Sequence, residues 1–316
     1  MNNNEQFQLG IDALKKNNLN EAEKIFLNLS KKNPLNYDII HFLGISYLLL
    51  GKLDRATECF KKTIKIKPDF TEAYKHLGDV FYKQGKIDKA EIYYNSAIKL
   101  KPDHSEVIST LNVISEQKKV LSHIKEAKIS KSNNSETFKT GLTSDPFIVT
   151  RPVEKELITN LYELDSVDLN KTKDVRYGNG KCSPDLRLFE NNISFIKNFK
   201  RDLVNVMKKS VRSEIYIVES FFNILSAGSG TSPHKHIDPF DKAHGIVDQK
   251  YSLVYYLCIG DQNCSEPGIL RLYDPDKKIL PTEGLIVIFP ANRKHSSTYN
   301  GNKDRIMVGV NFYCLQ

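Results

Sequence analysis

The stretch Ala73-Tyr-Lys-His-Leu-Gly-Asp-Val-Phe-Tyr82, followed by Ala90-Glu-Ile-Tyr-Tyr-Asn-Ser-Ala97, places apolar residues three and four positions apart, as two helices that each bury one stripe require. Stepping back by 34 residues, and by 34 again, meets the same markers: Gly78, Gly44 and Gly10; Ala90, Ala56 and Ala22; Pro102, Pro68 and Pro34. Three markers in one register define a repeated helix pair. Small residues let the paired helices approach closely, and each proline ends the second helix of its unit.

Over residues 5 to about 115 this pattern resembles the tetratricopeptide repeat family, as three units at about 3–36, 37–70 and 71–104 plus a capping helix. The resemblance implies an all-α solenoid whose concave face takes a peptide or protein partner. His41, His76 and His104 fall in or beside these helices without metal-ligand companions and read as ordinary helix or surface histidines.

At 316 residues the chain exceeds the about 100 to 200 residues of an ordinary domain, so two domains are expected. A composition 40% apolar and 27% charged is globular and excludes disorder throughout. Apolar runs such as Ile45 to Leu50 are too short to span a bilayer, and Met1-Asn-Asn-Asn-Glu lacks the basic start and apolar run of a signal peptide; a cytoplasmic protein with no membrane partner is the expectation. The net charge of +8 is spread as Lys among Asp and Glu, without clustered Arg and aromatics, so no nucleic-acid partner is expected. Five scattered cysteines form no CxxC pair and support neither a disulfide framework nor a cysteine zinc site.

From Ser115 the apolar periodicity gives way to Lys, Ser and Asn, which reads as a linker over 116–144. Beyond it, in 145–316, helical signals reduce to Glu154 to Leu164 and Ile193 to Val211. Short β-branched and aromatic segments take over: Ile215 to Leu225, Tyr251 to Ile259, Gly268 to Tyr273, Leu285 to Phe289 and Arg305 to Cys314. They predict an antiparallel sandwich or barrel with a few helices, and an α+β multidomain chain overall.

His236-Ile-Asp238 follows the first of these strands and the turn Ala227-Gly-Ser-Gly230. In extended backbone, residues two apart share a face, so an imidazole and a carboxylate can converge on one ion. His295 comes 59 residues later, after a second apolar strand, and Arg305 ten residues beyond that. Two histidines and a carboxylate form a facial set that leaves positions open on ferrous iron. A guanidinium on a neighbouring strand offers a bidentate fork to a carboxylate.

This order and spacing resembles the Fe(II)- and 2-oxoglutarate-dependent dioxygenase superfamily, in its prolyl-hydroxylase-like branch. Tyr255-Tyr256-Leu257 and Pro267-Gly-Ile-Leu-Arg-Leu-Tyr273 look like two further strands of that branch. The resemblance covers 215 to 315 and, loosely, 145 to 214. It implies a double-stranded β-helix (jelly-roll) with flanking helices, iron on His236, Asp238 and His295, Tyr256 and Leu270 lining a 2-oxoglutarate pocket, and Arg305 pairing with that cosubstrate's distal carboxylate. With O2, such a site would hydroxylate an amino-acid side chain, proline favoured, of a peptide or protein recruited by the repeats. Two departures stand out. His234 lies two before His236, so His234, His236 and His295 form an alternative ligand set, and Met307 stands where relatives carry Ser or Thr. His244 lies in an insert, Asp241 to Gln249, and reads as a surface residue. The competing expectations are a protein-binding repeat scaffold with a catalytically inactive β domain, and a metal-dependent isomerase or oxygenase that uses no 2-oxoglutarate.

Overall fold

The computed structural model describes residues 2–132, 145–172 and 175–315, and divides into two compact units. The first holds residues 1–118 together with Pro239–His244, and the second 119–238 and 245–316.

The helical unit contains three helix pairs: α1 and α2 (Asn3–Lys15, Leu19–Lys32), α3 and α4 (Tyr37–Leu49, Leu53–Ile66), and α5 and α6 (Thr71–Lys83, Ile87–Leu100). The 34-residue markers explain the packing. An added Cβ at Gly10, Gly44 or Gly78 would lie 2.6, 2.7 or 2.6 Å from the ring of Phe26, Phe60 or Tyr94, so glycine lets the second helix of each pair press an aromatic ring against the first. Ala22, Ala56 and Ala90 are fully buried at the same contacts. Asn33, Lys67 and Lys101, each preceding the repeat proline, are driven out of helical conformation, and α2, α4 and α6 stop there.

Helix α7 runs Ser105–Ser132, which corrects the expected boundary: residues 116–132, anticipated as linker, continue the helix. Val107, Ile114, Gln117, Val120 and Ile124 are buried at helical spacing, so the apolar stripe persists beyond Ser115 although the surrounding residues are polar. Residues 133–144 of that linker lie outside the described residues.

The second unit is β-rich. Its strands are β1 (Phe147–Thr150), β2 (Val167–Asp168), β3 (Arg176–Tyr177), β4 (Gly180–Cys182), β5 (Glu214–Leu225), β6 (Ser229–His234), β7 (Lys250–Cys258), β8 (Leu270–Leu272), β9 (Lys277–Ile279), β10 (Leu285–Pro290), β11 (His295–Tyr299) and β12 (Arg305–Leu315). Helices α8 (Lys155–Glu163) and α9 (Ser194–Val211) precede β5, and the short α10 (Pro239–Ala243), with a 3-10 turn at Val247–Gln249, occupies the insert after β6. One sheet has seven strands, in the order β1-β10-β7-β12-β5-β4-β2, and the other five, β3-β6-β11-β8-β9, with antiparallel pairing between neighbours.

The two-residue alternation sorts the seven-stranded sheet into two faces. One set, including Tyr255, Val308, Val310 and Phe312, joins Ile196, Phe199, Leu203 and Met207 of α9 in the larger core. The alternate set, Tyr256, Val287, Phe289 and Met307, packs with Leu270 and Leu272 of the five-stranded sheet. All five cysteines are free thiols, and no helix among the described residues is long and apolar enough to cross a membrane.

Candidate metal centre

His234 is the last residue of β6 and lies directly opposite His295, the first residue of β11. Their ring centroids are 4.2 Å apart. His236 follows two residues later, where its backbone N–H donates to Ala291 O at 2.9 Å and turns the chain in beside the pair. The ligating nitrogens of the three histidines all lie within 4.8 Å of one another, and His234 Nε2 is 3.2 Å from His236 Nε2. Two nitrogens bound at right angles to one ion, each at about 2.1 Å, stand about 3 Å apart, so the spacing suits a facial set on a divalent transition ion.

The groups that converge are those of the alternative set. Asp238 is not among the converging groups; its Oδ2 lies 3.8 Å from Nζ of the buried Lys250. The inference that residues 236 and 238 share a face needs extended backbone, but β6 ends at His234 and the chain turns toward α10. The alternation holds one step earlier, and His234, the alternative ligand, takes the place foreseen for Asp238.

Backbone carbonyls orient two of the rings. His234 Nδ1 lies 2.7 Å from Ser232 O, and His295 Nδ1 lies 3.2 Å from Arg293 O. Each carbonyl accepts from Nδ1–H, which leaves an Nε2 lone pair for an ion. Burial first, then the neighbouring imidazoles, hold His236 well below the ordinary histidine range and His295 down to about 3. Neutral imidazoles are the form that binds metal.

Sequence reasoning missed the third orienting group. Asn311 Nδ2 lies 3.1 Å from His236 Nδ1 and also donates to Glu219 Oε2, while Ser252 Oγ donates to Asn311 Oδ1 at 2.7 Å. With Nδ2 donating to both groups, His236 Nδ1 accepts; freeing Nε2 for an ion would turn the amide oxygen toward Nδ1–H and also toward Glu219 Oε2, so that carboxyl would then carry a proton. The available signal was a lone Asn inside the apolar strand Arg305 to Cys314.

The centre opens on a cavity of about 250 Å³ between the two sheets. Strand register lays out its wall as rows: Glu219, Asn311 and Ser252 beside the histidines; Phe221, Gly309 and Val254 in the middle; Asn223, Met307 and Tyr256 farthest along. Gly309 matters here because an added Cβ would meet the Phe221 ring at 2.3 Å. Tyr256 and Leu270, expected at a cosubstrate pocket, both line this cavity.

Arg305 does not. It is fully buried between the rings of Tyr256 and Tyr299, donating from Nη1 to Gly268 O at 2.6 Å and from Nη2 to Pro267 O at 2.9 Å, with Nε left without a partner. Spacing along the chain located the arginine but not what it would face. A different arginine, Arg176 of β3, lines the cavity.

Two histidines of the repeats, His41 of α3 and His76 of α5, pair with each other. His41 is buried, with Nε2 3.0 Å from His76 Nδ1, and burial lowers the two to about 3 and about 4. His104 lies 3.3 Å from Glu72 Oε1.

Comparison with known proteins bears on the helical unit. Residues 71–104 match the tetratricopeptide repeat model and residues 44–85 a further TPR repeat model, so the N-terminal region carries tetratricopeptide repeats. Solved structures similar to the chain include the first TPR of Spaghetti (RPAP3) bound to the HSP90 peptide SRMEEVD, at 20% identity over 36% of this chain and 90% of that one, with a TM-score of 0.35. The Arabidopsis OM64 TPR domain is 18% identical over 36% of this chain and 94% of its own, TM-score 0.35. The Yersinia enterocolitica chaperone SycD, in complex with a peptide of the translocator YopD, is 17% identical over 36% and 93%, TM-score 0.35. No curated protein matches the chain.

Proposed function

We propose that the β unit is a double-stranded β-helix (jelly-roll) oxygenase that holds Fe(II) on His234, His236 and His295 and hydroxylates an amino-acid side chain, proline favoured, of a peptide or protein delivered by the repeats. The observation that carries this reading is the convergence of three imidazoles on one point at the end of a cavity. When bound, iron with a facial set of protein ligands keeps positions open and supplies dioxygen activation. The chain's own groups hold and orient: Ser232 O, Arg293 O and Asn311 fix the rings, and the apolar middle row excludes water from the reacting centre. Three neutral ligands leave the ion's full charge of about +2 in an apolar cavity, which favours an anionic partner such as the carboxylate end of a 2-oxo acid. Arg305, expected to anchor the cosubstrate, is not on the cavity wall, and its two Nη atoms donate to the carbonyls of Gly268 and Pro267.

That same observation favours a second reading, an iron oxygenase of this architecture that consumes no 2-oxoglutarate. A single experiment decides among the possibilities. The purified full chain is loaded anaerobically with Fe(II), then given 2-oxoglutarate and air. The proposal expects a visible absorption band from the chelate, then succinate, with both lost in His295→Ala. Iron binding without succinate selects the second reading, and absence of stoichiometric iron binding leaves the chain a repeat scaffold with an inactive β unit.

A further inference from the structure

The polar groups of the centre form one directed chain of donors and acceptors. Ser252 Oγ donates to Asn311 Oδ1 at 2.7 Å, and the Asn311 amino group donates both to Glu219 Oε2 and to His236 Nδ1, the latter at 3.1 Å. A neutral imidazole whose Nδ1 accepts carries its proton on Nε2. His236 Nε2 lies 3.2 Å from His234 Nε2, and His234 Nδ1 donates to Ser232 O at 2.7 Å, so the His236 proton points at the His234 lone pair. One of these two ligand nitrogens is protonated and the other accepts that proton. Neither lone pair is then open to an ion.

The direction of the chain is set at its far end. A carboxylate can only accept, so an ionised Glu219 turns the amino group of Asn311 toward itself, and the same turn makes His236 Nδ1 an acceptor. Strand register holds the trio together, with Glu219 of β5 and Ser252 of β7 both opposite Asn311 of β12. Reversing the amide gives His236 Nδ1–H an acceptor and frees both Nε2 lone pairs. It also sets Asn311 Oδ1 against Glu219 Oε2, where the carboxyl must bring a hydrogen.

We propose that Glu219 is a positioning residue that gates ion entry: as a carboxylate it keeps the His236 proton on Nε2, and as a neutral acid it lets Asn311 present its oxygen and opens the site. The imidazole stays neutral, losing its Nε2 proton and gaining one on Nδ1 by exchange with solvent. The net change is one proton taken from solvent by Glu219, where loading of histidine and thiolate sites ordinarily releases protons. Burial holds His236 and His295 in the neutral form, so they release none that would mask the uptake. Arg176 and Lys235 share the cavity wall and Lys250, with Asp238 beside it, faces His236; Glu219→Gln leaves all four in place. The inference rests on the proposed function for the ion only, because the tautomer of His236 is testable without metal.

Nitrogen-15 NMR of the full chain labelled in histidine reads the tautomer, and calorimetry with Zn(II) near neutral pH, in buffers of different ionisation heat, counts protons. In the metal-free parent His236 is the Nε2–H tautomer. In Glu219→Gln, whose amide can turn either end toward Asn311, the population moves toward Nδ1–H. Zn(II) binds Glu219→Gln about 10- to 100-fold more tightly than the parent, the range that a partner of a ligand controls. The parent takes up about one proton more per Zn(II) than the variant. If the tautomer moves but neither protein takes up Zn(II), the control by Glu219 stands and the metal reading falls. An Nδ1–H tautomer in the metal-free parent, an unmoved tautomer in the variant, or equal Zn(II) affinity or equal proton uptake where both proteins load, overturns the gate.

Discussion

In the helical unit the defining contacts are local: Gly10 lies under Phe26, Gly44 under Phe60 and Gly78 under Tyr94, each within one repeat. In the β unit the centre draws on β5, β6, β7, β11 and β12, whose residues lie far apart in sequence and meet through strand register. Local contacts stabilise an array unit by unit, whereas a site gathered from distant strands depends on every register that positions it. The first arrangement tolerates change piecemeal. The second concentrates it.

The largest expected effect tests the local side. Phe60→Ala removes the ring seated on Gly44 and should cost about 3–5 kcal/mol, read in denaturant unfolding of the full chain, with metal affinity unchanged. A parallel loss of metal affinity would break the contrast between the units. Next comes the gathered side. His295→Ala should lower metal affinity, followed by equilibrium dialysis, by more than the about 10- to 100-fold that an orienting partner carries, while Asp238→Asn changes it little. If Asp238→Asn proves as damaging as His295→Ala, the ligand set is the one expected from sequence.

Asn311→Leu sharpens the same side, because it leaves every ligand in place and removes the group that orients His236. The expected loss is about 10- to 100-fold in metal affinity, and an unchanged affinity would deny Asn311 that role. Gly78→Ala returns to the repeats. Its Cβ would lie 2.6 Å from Tyr94 Cε1, and the overpacking should cost about 1–3 kcal/mol in thermal unfolding.

The smallest effect, per pH unit, comes from the buried pair in the repeats. His41 and His76 are lowered to about 3 and about 4 in the folded state, against an ordinary value of 6.5. Between those limits the unfolded chain binds more protons, so unfolding free energy falls as pH drops from about 6.5 toward 4, by at most about 1.4 kcal/mol per pH unit for each group. His41→Asn should flatten that slope in acid denaturation; an unaltered slope would place the acid sensitivity elsewhere.

The repeats were legible because their information is local: a period of 34 in Gly, Ala and Pro needs only one chain segment to be read. The main strands β5, β7, β10 and β12 were visible for a similar reason, as runs of β-branched and aromatic residues bounded by turns. His236 and His295 also came from sequence, since imidazoles at strand ends are few. Only the folded chain decided the remaining placements. β6 stops at His234, which turns Asp238 out of the centre and brings His234 in. Gly268 and Pro267 lend their carbonyls to Arg305, and β3 places Arg176 on the cavity wall. Composition and spacing determine which groups are available, but where a strand ends and what it pairs with determine which way each side chain faces, and that direction is a property of contacts between segments distant in sequence.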